Sequence, residues 1–428
     1  MERLNDDDER EDLYCVDHGR LKYKHTDLLA MLRDAQSAII RFSEENHDII
    51  ADVVNFASTS ERANTLRKLE EAYLGIVKVQ APMVRCSRPA FRKLCRLWGT
   101  DVSYTHMIMA DSFTCSDAAR HADFSMYAGE ERLVAQIASC SGPVAAEAAT
   151  LLAPYCDAID LNCGCPQRWI IKEGLGSALL QKPEVVADMV RCIHNGLSGG
   201  VSLPCVVKMR VDNDVGRSVD FARHCEAAGC GWITVHGRTP SCSAHAPVRL
   251  DAIRTIRECV SVPVVANGGV NNPQTALKTS LTTGAGAVMS ATGLLANPAC
   301  FYVPREGELL LFAPQRHGID VALEASMGPC RGADEGASTA GSENSAWLKG
   351  LPGCPVEVIS DFIRLSCVTD LASKATSMHL LKMGGNYLSP TERVFLAQMH
   401  SSFSVVSAFQ QLGLYTQDGR FRVVESVT

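Results

Sequence analysis

The chain of 428 residues has room for one large domain and a smaller one, and its 18 cysteines, about 4% of the total, are too few and too scattered for a disulfide scaffold, which points to reduced intracellular thiols. The acidic start Met1–Asp12 is no secretory signal, and no run approaches the roughly 18 apolar residues of a membrane span, so a cytoplasmic or nuclear protein without membrane contact is expected. A formal charge of −7 argues against a nucleic-acid partner only until its distribution is read: residues 1–76 carry 17 acidic and 10 basic side chains, so the remainder is neutral overall and leaves room for local basic patches.

Helical spacing appears first at Leu28–Phe42 and Arg62–Tyr73, inside an acidic, partly helical N-terminal extension (1–74) to which the sequence assigns no role. From Gly75 a strand–helix alternation begins. Its apolar, β-branched runs are Ile76–Met83, Val102–Met107, Leu133–Ala138, Ala158–Asn162, Pro204–Arg210, Trp232–His236, Val262–Asn267 and Ala287–Ser290. They are almost continuously apolar, as strands covered on both faces are. Between them Pro143–Ala153, Pro183–His194, Val219–Ala228, Asp251–Val260 and Pro273–Leu281 repeat apolar residues at three- and four-residue spacing. Eight such units in about 225 residues match a TIM (β/α)8 barrel. An open doubly wound sheet is the runner-up, but the first strand ends Gln80-Ala81-Pro82-Met83, without the glycine-rich turn such sheets usually carry. After that strand, Arg85, Arg88, Arg92, Lys93 and Arg96 form a basic patch; on a helix Arg88, Arg92 and Arg96 share one face, and a solvated face is the bland reading.

Past the barrel (75–305), a segment over 306–352 is rich in Gly, Ser, Ala and acids from Gly328 to Gly350 and reads as a flexible insertion. Helical patterns resume at Pro355–Leu365, Asp370–Met383 and Glu392–Leu412, the last with Phe395, Met399, Phe403, Val406 and Phe409 on one face. A small C-terminal helical bundle over 353–415, followed by a tail over 416–428, completes the expected layout.

The segment Asp160-Leu161-Asn162-Cys163-Gly164-Cys165-Pro166-Gln167 runs a short apolar strand into a tight turn that presents a thiol. Gly164 permits backbone angles that other residues resist and Pro166 fixes the next φ, so Cys165 is expected to be held at the carboxyl end of a strand, where α/β barrels do their chemistry. Other polar residues end strands too: Gln136, Asn162, Lys208, Arg210, His236, Arg238 and Asn267, then Gly268-Gly269. A lone Lys is usually solvated and a lone His is usually a satisfied core residue. Their common placement on one barrel face is what raises them above that. Gly268 and Gly269 would let backbone N–H groups approach an anion. Cys163 and Cys165 lack a second pair at zinc-site spacing, so no metal is expected.

Taken together, Ala81-Pro82-Met83, Asn162–Gln167, Lys208-Met209-Arg210, His236-Gly237-Arg238-Thr239 and Asn267-Gly268-Gly269 resemble the tRNA-dihydrouridine synthase family, over about Val77–Phe301 and more weakly over Val356–Leu412. Cys163-Gly164-Cys165-Pro166-Gln167-Arg168-Trp169 and Gly293-Leu294-Leu295-Ala296-Asn297-Pro298 look like its eukaryotic branch for D-loop uridines 20a and 20b. The resemblance implies a barrel binding FMN, a helical domain that helps hold tRNA, and NADPH as reductant. It makes Cys165 the proton donor and Cys163 a variable, non-catalytic position. Asn162, Arg210 and Arg238 would meet the substrate. Ala81, Pro82, Met83, Gln136, Lys208, His236, Asn267, Gly268 and Gly269 would line the flavin, and the basic helix Arg88–Arg96 would join a phosphate-contacting rim. One position departs from the family pattern: Ala291-Thr292 stands where an Arg would ordinarily grip the FMN phosphate. Thr292 keeps one hydrogen bond and loses the charged fork. Two other readings stay open, a tRNA-binding relative that has lost catalysis and a different FMN barrel reductase acting on a small molecule. A monomer is expected.

Overall fold

The computed structural model describes residues 24–47, 62–304, 310, 348, 350–369, 371–399 and 401–411. The buried apolar runs form strands β1 (Val77–Gln80), β2 (Ser103–Tyr104), β3 (Ile108–Met109), β4 (Leu133–Ala138), β5 (Ala158–Cys163), β6 (Cys205–Arg210), β7 (Ile233–His236), β8 (Val264–Asn267) and β9 (Ala287–Ser290). All pair in parallel, in the order β1-β9-β8-β7-β6-β5-β4-β2 with β3 beside β4. A bridge between Val79 and Val102, with Gln80 N–H donating to Val102 O at 2.9 Å, joins the two ends and closes the barrel. Helices Gly142–Leu152, Pro183–Leu197, Val215–Ala227, Leu250–Cys259 and Pro273–Thr283 cover the outside.

One expected strand is interrupted. Of Val102–Met107 only Ser103–Tyr104 is strand, and β3 lies just past the expected run; between the two, the Gln136 backbone N–H donates to the Thr105 hydroxyl (3.0 Å) and not to a backbone carbonyl.

The N-terminal helix Leu28–Glu45 has a place that its sequence did not announce. Leu28, Leu32, Ala35 and Ile39 recur on one face, and Asp27 caps its start by accepting from Ala30 N–H. Leu28, Leu32 and Ala35 join Val79, Val206, Val265 and Ala287 in the barrel interior. The Thr26 N–H bonds Asp157 and Gln36 accepts from Val264 N–H, so the helix lies across the N-terminal ends of the strands as a floor. Burying the two leucines stabilises the fold by about 1.5–3 kcal/mol each.

The C-terminal helices Val356–Val368, Ser373–Met383, Pro390–Ala397 and Ser402–Gln411 form the bundle. It shares one apolar core with the outside of the barrel, where Phe362, Ile363, Leu380 and Phe409 cluster with Tyr73, Phe91, Leu94 and Trp98. Trp98 Nε1 donates to Asp361 Oδ2 at 3.1 Å, and the His379 ring stacks on Phe91 at 4.6 Å.

The single helix expected over Glu392–Leu412 is two. The Ser401 hydroxyl accepts from Ser404 N–H at 3.1 Å and starts a second helix, which rotates the apolar stripe. Phe395 is consequently 61% exposed while Phe409 is buried. Of the expected insertion over 306–352, only Leu310, Leu348 and residues 350–352 are described, and both leucines pack against the shared core. The Gly328–Gly350 stretch, apart from Leu348 and Gly350, the first 23 residues and the tail over 416–428 lie outside the described residues. Among the described residues no helix is long and apolar enough to cross a membrane.

Candidate active site at the barrel mouth

The β5 turn is tied from both sides. Asn162 Oδ1 accepts from the backbone N–H groups of Gly164 (3.2 Å) and Cys165 (3.0 Å), an Asx arrangement that fixes the turn locally. The Cys165 carbonyl accepts from Ser177 N–H at 3.0 Å. Gly176, at φ +61°, presses so close that a Cβ there would lie 2.7 Å from that carbonyl. Half-buried Cys165 packs against Met107, Ala138, Ile170 and Leu175. Cys163, by contrast, is fully buried among the residues between strands and outer helices, and burial pushes its thiol well up. A thiol buried in this way is packing.

Behind the turn stands a residue that the sequence reading passed over. Asp160 is fully buried in β5, and its Oδ2 accepts from Gln136 Nε2 at 2.7 Å; Gln136 Oε1 in turn accepts from Asn162 Nδ2 at 2.8 Å. Because the Asp160 Oδ2 accepts, the Gln136 NH2 is turned inward. That leaves the Gln136 oxygen for the Asn162 NH2, and the Asn162 oxygen for the turn. One buried acid thus sets both amides and, through them, the backbone of Cys165. A lone carboxylate inside an apolar strand was the available signal.

Register brings the remaining polar groups together. Asn162 pairs with Lys208, Arg210 with His236 and His236 with Asn267 across β5 to β8. Lys208 Nζ donates to Asn267 Oδ1 at 3.2 Å, and Asn267 Nδ2 is spent on Met289 O. Arg210 Nε donates to the Gly164 carbonyl at 2.9 Å and so holds the thiol turn from across the mouth. Arg238 donates to Ala246 O, and its guanidinium lies 3.4 Å from His236 Nε2. Burial, with Lys208, Arg210 and Arg238 close by, holds His236 far below its ordinary value, at about 2, so the ring is neutral. Burial lowers Lys208 and raises Asp160, and their attraction opposes both shifts.

Gly268 (φ +123°) and Gly269 (φ +72°) adopt left-handed backbone, and a Cβ on Gly268 would stand 3.0 Å from the His236 ring. The loop they begin touches the one after β9, since a Cβ on Gly293 would meet Val270 O at 2.4 Å; Ala291 is half-buried there and Thr292 exposed. Ala81 is buried at the end of β1 and its N–H bonds Ser290 O. Pro82 is half-buried beside it. The half-buried Met83 side chain packs against the apolar cluster that includes Val270 and Leu294, just past β8 and β9, and its N–H is spent on the Ser87 hydroxyl.

The basic helix needs correction. In Pro89–Leu97, Arg92 is 2% exposed and makes a two-pronged bond to buried Glu130, at 2.6 and 2.7 Å. Arg96 donates to Thr100 O and pairs with Glu131, and Lys93 lies over the Tyr127 ring. The acids sit more than 30 residues downstream, which is why the local sequence looked unopposed. Arg85 and Arg88 have no carboxylate gripping them in this way, although Arg88 Nη1 donates to the Ala122 carbonyl at 2.6 Å. With Lys374 of the bundle they line a groove of about 660 Å³ between barrel and bundle, floored by Pro89, Met126, Leu371 and Met378.

The mouth therefore combines three cations, a neutral imidazole, bare glycine backbone and a fixed thiol. It suits an anionic, electron-rich ring and a proton delivered from sulfur. Among the described residues no three His, Cys, Asp or Glu side chains are arranged to hold a metal.

The profile of the dihydrouridine synthase (Dus) family matches residues 79–314. The chain is 45% identical over 226 residues to the tRNA-dihydrouridine(20a/20b) synthase [NAD(P)+]-like protein of Mus musculus, covering 53% of this chain and 69% of that one. It is 44% identical over 250 residues to the Homo sapiens protein of the same name, covering 58% and 77%. It is 43% identical over 225 residues to the tRNA-dihydrouridine(20a/20b) synthase [NAD(P)+] of Schizosaccharomyces pombe, covering 53% and 68%.

Proposed function

The chain belongs to the dihydrouridine synthase family, and on that premise we propose that it reduces the C5=C6 bond of uridines in the tRNA D-loop, with FMN as cofactor, NADPH as reductant and Cys165 as proton donor. The observation that carries this reading is the tied turn that fixes Cys165 at a cationic barrel mouth.

The residues present fit a flavin over most of its length. Among the described residues the fully buried Asp160 Oδ1 has no hydrogen-bond partner, and Lys208 Nζ, with three donors, is bonded only to Asn267 Oδ1. Polar capacity is thus left over in the mouth. Lys208, Gln136, Asn267 and His236 would hold the ring beside Ala81 and Pro82, and Gly268 and Gly269 would take the phosphate, with Thr292 giving one hydrogen bond. When bound, FMN supplies the hydride that C6 of uracil accepts. Lys208 would place positive charge beside the bound, electron-rich ring. Asn162 and Arg210 orient the uracil, with Arg238 alongside. Cys165 gives its Sγ proton to C5, and solvent restores it. The target base must leave its stack to reach this depth, and the Arg85–Arg88–Lys374 groove offers cationic contacts for the surrounding backbone.

The test is reduction of tRNA lacking dihydrouridine by the flavin-loaded protein with NADPH. Dihydrouridine should form, and Cys165→Ala should abolish it while flavin stays bound. A yellow protein that leaves such tRNA unchanged would sink the proposal. Thr292 favours one second reading, a tRNA-binding relative without catalysis; a preparation that binds tRNA and stays colourless after FMN is added would establish it.

A further inference from the structure

We propose that Trp169 is a stacking platform for the nucleobase next to the target uridine, with Arg168 and Lys172 taking the adjoining phosphates. The inference rests on the tRNA reading above, and its test separates the two.

Trp169 is 52% exposed, whereas Trp98 and Trp232 are 1% exposed. It lies four residues past Cys165, on the short helix Arg168–Lys172 that follows the thiol turn. Its exposure is not a sign of a loose segment. Ile170, next in the chain, is fully buried and packs with Met107, Ala138 and Leu175, the same residues that Cys165 rests on. The indole N–H donates to Gln167 Oε1 at 3.0 Å, so the ring is oriented, with its polar edge satisfied and much of its apolar surface in solvent. Arg168 and Lys172 are both exposed on either side of it, with Glu173 beyond.

An oriented, half-bare aromatic flanked by two cations matches a nucleotide: the ring takes a base, the cations take phosphate. Withdrawing a uridine from the D-loop stack strips its neighbour of one stacking partner. An indole beside the mouth replaces that partner at the moment it is lost. Stacking of this kind changes affinity by roughly 5- to 150-fold per base. The competing occupant is a base of the dinucleotide reductant, and kinetics tell the two apart.

The experiment uses the full flavin-loaded chain and a tRNA transcript lacking dihydrouridine. In Trp169→Ala the KM for tRNA should rise roughly 5- to 150-fold. The KM for NADPH, the flavin content and the tRNA-independent oxidation of NADPH by oxygen should be unchanged, and Trp169→Phe should recover most of the loss. An unchanged KM for tRNA, or a rise confined to NADPH, would overturn the assignment. Should the parent protein make no dihydrouridine at all, the functional reading fails on its own, and a fluorescence titration still decides this one. Transcript should quench the parent's tryptophan emission, and the Trp169→Phe difference should account for the quench. A quench undiminished in that variant would refute the platform.

Discussion

Removing the Arg92 guanidinium should damage the fold and not the RNA contact. Its Nε and one terminal nitrogen grip Glu130 at 2.6 and 2.7 Å, and it also donates to the carbonyls of Ser87 (2.9 Å) and Ser125 (2.7 Å). Both side chains are essentially dry, at 2% and 0% exposure. Arg92→Ala therefore leaves an uncompensated buried carboxylate, a loss of about 3–5 kcal/mol. That is a large part of the 5–15 kcal/mol that ordinarily separates folded from unfolded chains. For a unit of this size each kcal/mol moves the melting temperature by roughly 2–4 °C, so a drop of about 10 °C is expected in a thermal scan. Replacing both partners, Arg92→Met with Glu130→Leu, removes the stranded charge and should return most of the loss. At a temperature where Arg92→Ala is folded, its KM for tRNA should match the parent's, while Arg88→Ala raises it. Melting within 2 °C of the parent, together with a severalfold rise in KM, would refute the burial argument and restore Arg92 to the RNA-facing rim.

Three further outcomes are expected. Asp160→Leu removes the acceptor that orients Gln136 and Asn162, so dihydrouridine formation should fall at least tenfold while the outer fold melts cooperatively; parental activity would break the relay from Asp160 to Cys165. Burial raises Asp361 from 3.8 to about 6, so the folded state binds the proton more tightly than the unfolded one, and its ionisation costs stability as pH rises from about 4 to about 6. Relative to Asp361→Asn, the parent should gain up to about 3 kcal/mol as pH falls through that window, and a pH-independent difference in denaturant midpoints would contradict this. Leu32→Ala should cost about 2–5 kcal/mol by opening a void between the floor helix and the barrel, and a change under 1 kcal/mol would show that the floor is not packed as described.

What could be read from the sequence was what local composition determines. The strands announced themselves because parallel strands buried on both faces leave nearly unbroken apolar runs, and the β5 turn did so because Gly164 and Pro166 punctuate it. What could not be read depended on partners distant in the chain. Arg92 looks like a surface cation until Glu130, 38 residues on, folds over it. The Leu28–Glu45 helix shows an apolar face, but only closure of the barrel gives that face somewhere to go. The break at Ser401 turns on one hydroxyl choosing a backbone N–H over solvent, which moved Phe395 outward. Asp160 was in plain view within the most informative segment, yet its work is done across two strands.

The apolar mass that the bundle and the barrel hold in common makes the molecule a calliper without a screw. Its jaws, the groove between the two units and the thiol at the mouth, stand at a set separation, because changing it would mean prising Trp98 from Asp361 and Phe91 from His379. On the proposed reading, whichever uridine spans that gap is the one that is altered. An RNA presenting its base a nucleotide short must bend to fit, since the protein gives little. Retargeting would then call for re-cutting the seam between barrel and bundle rather than editing the pocket.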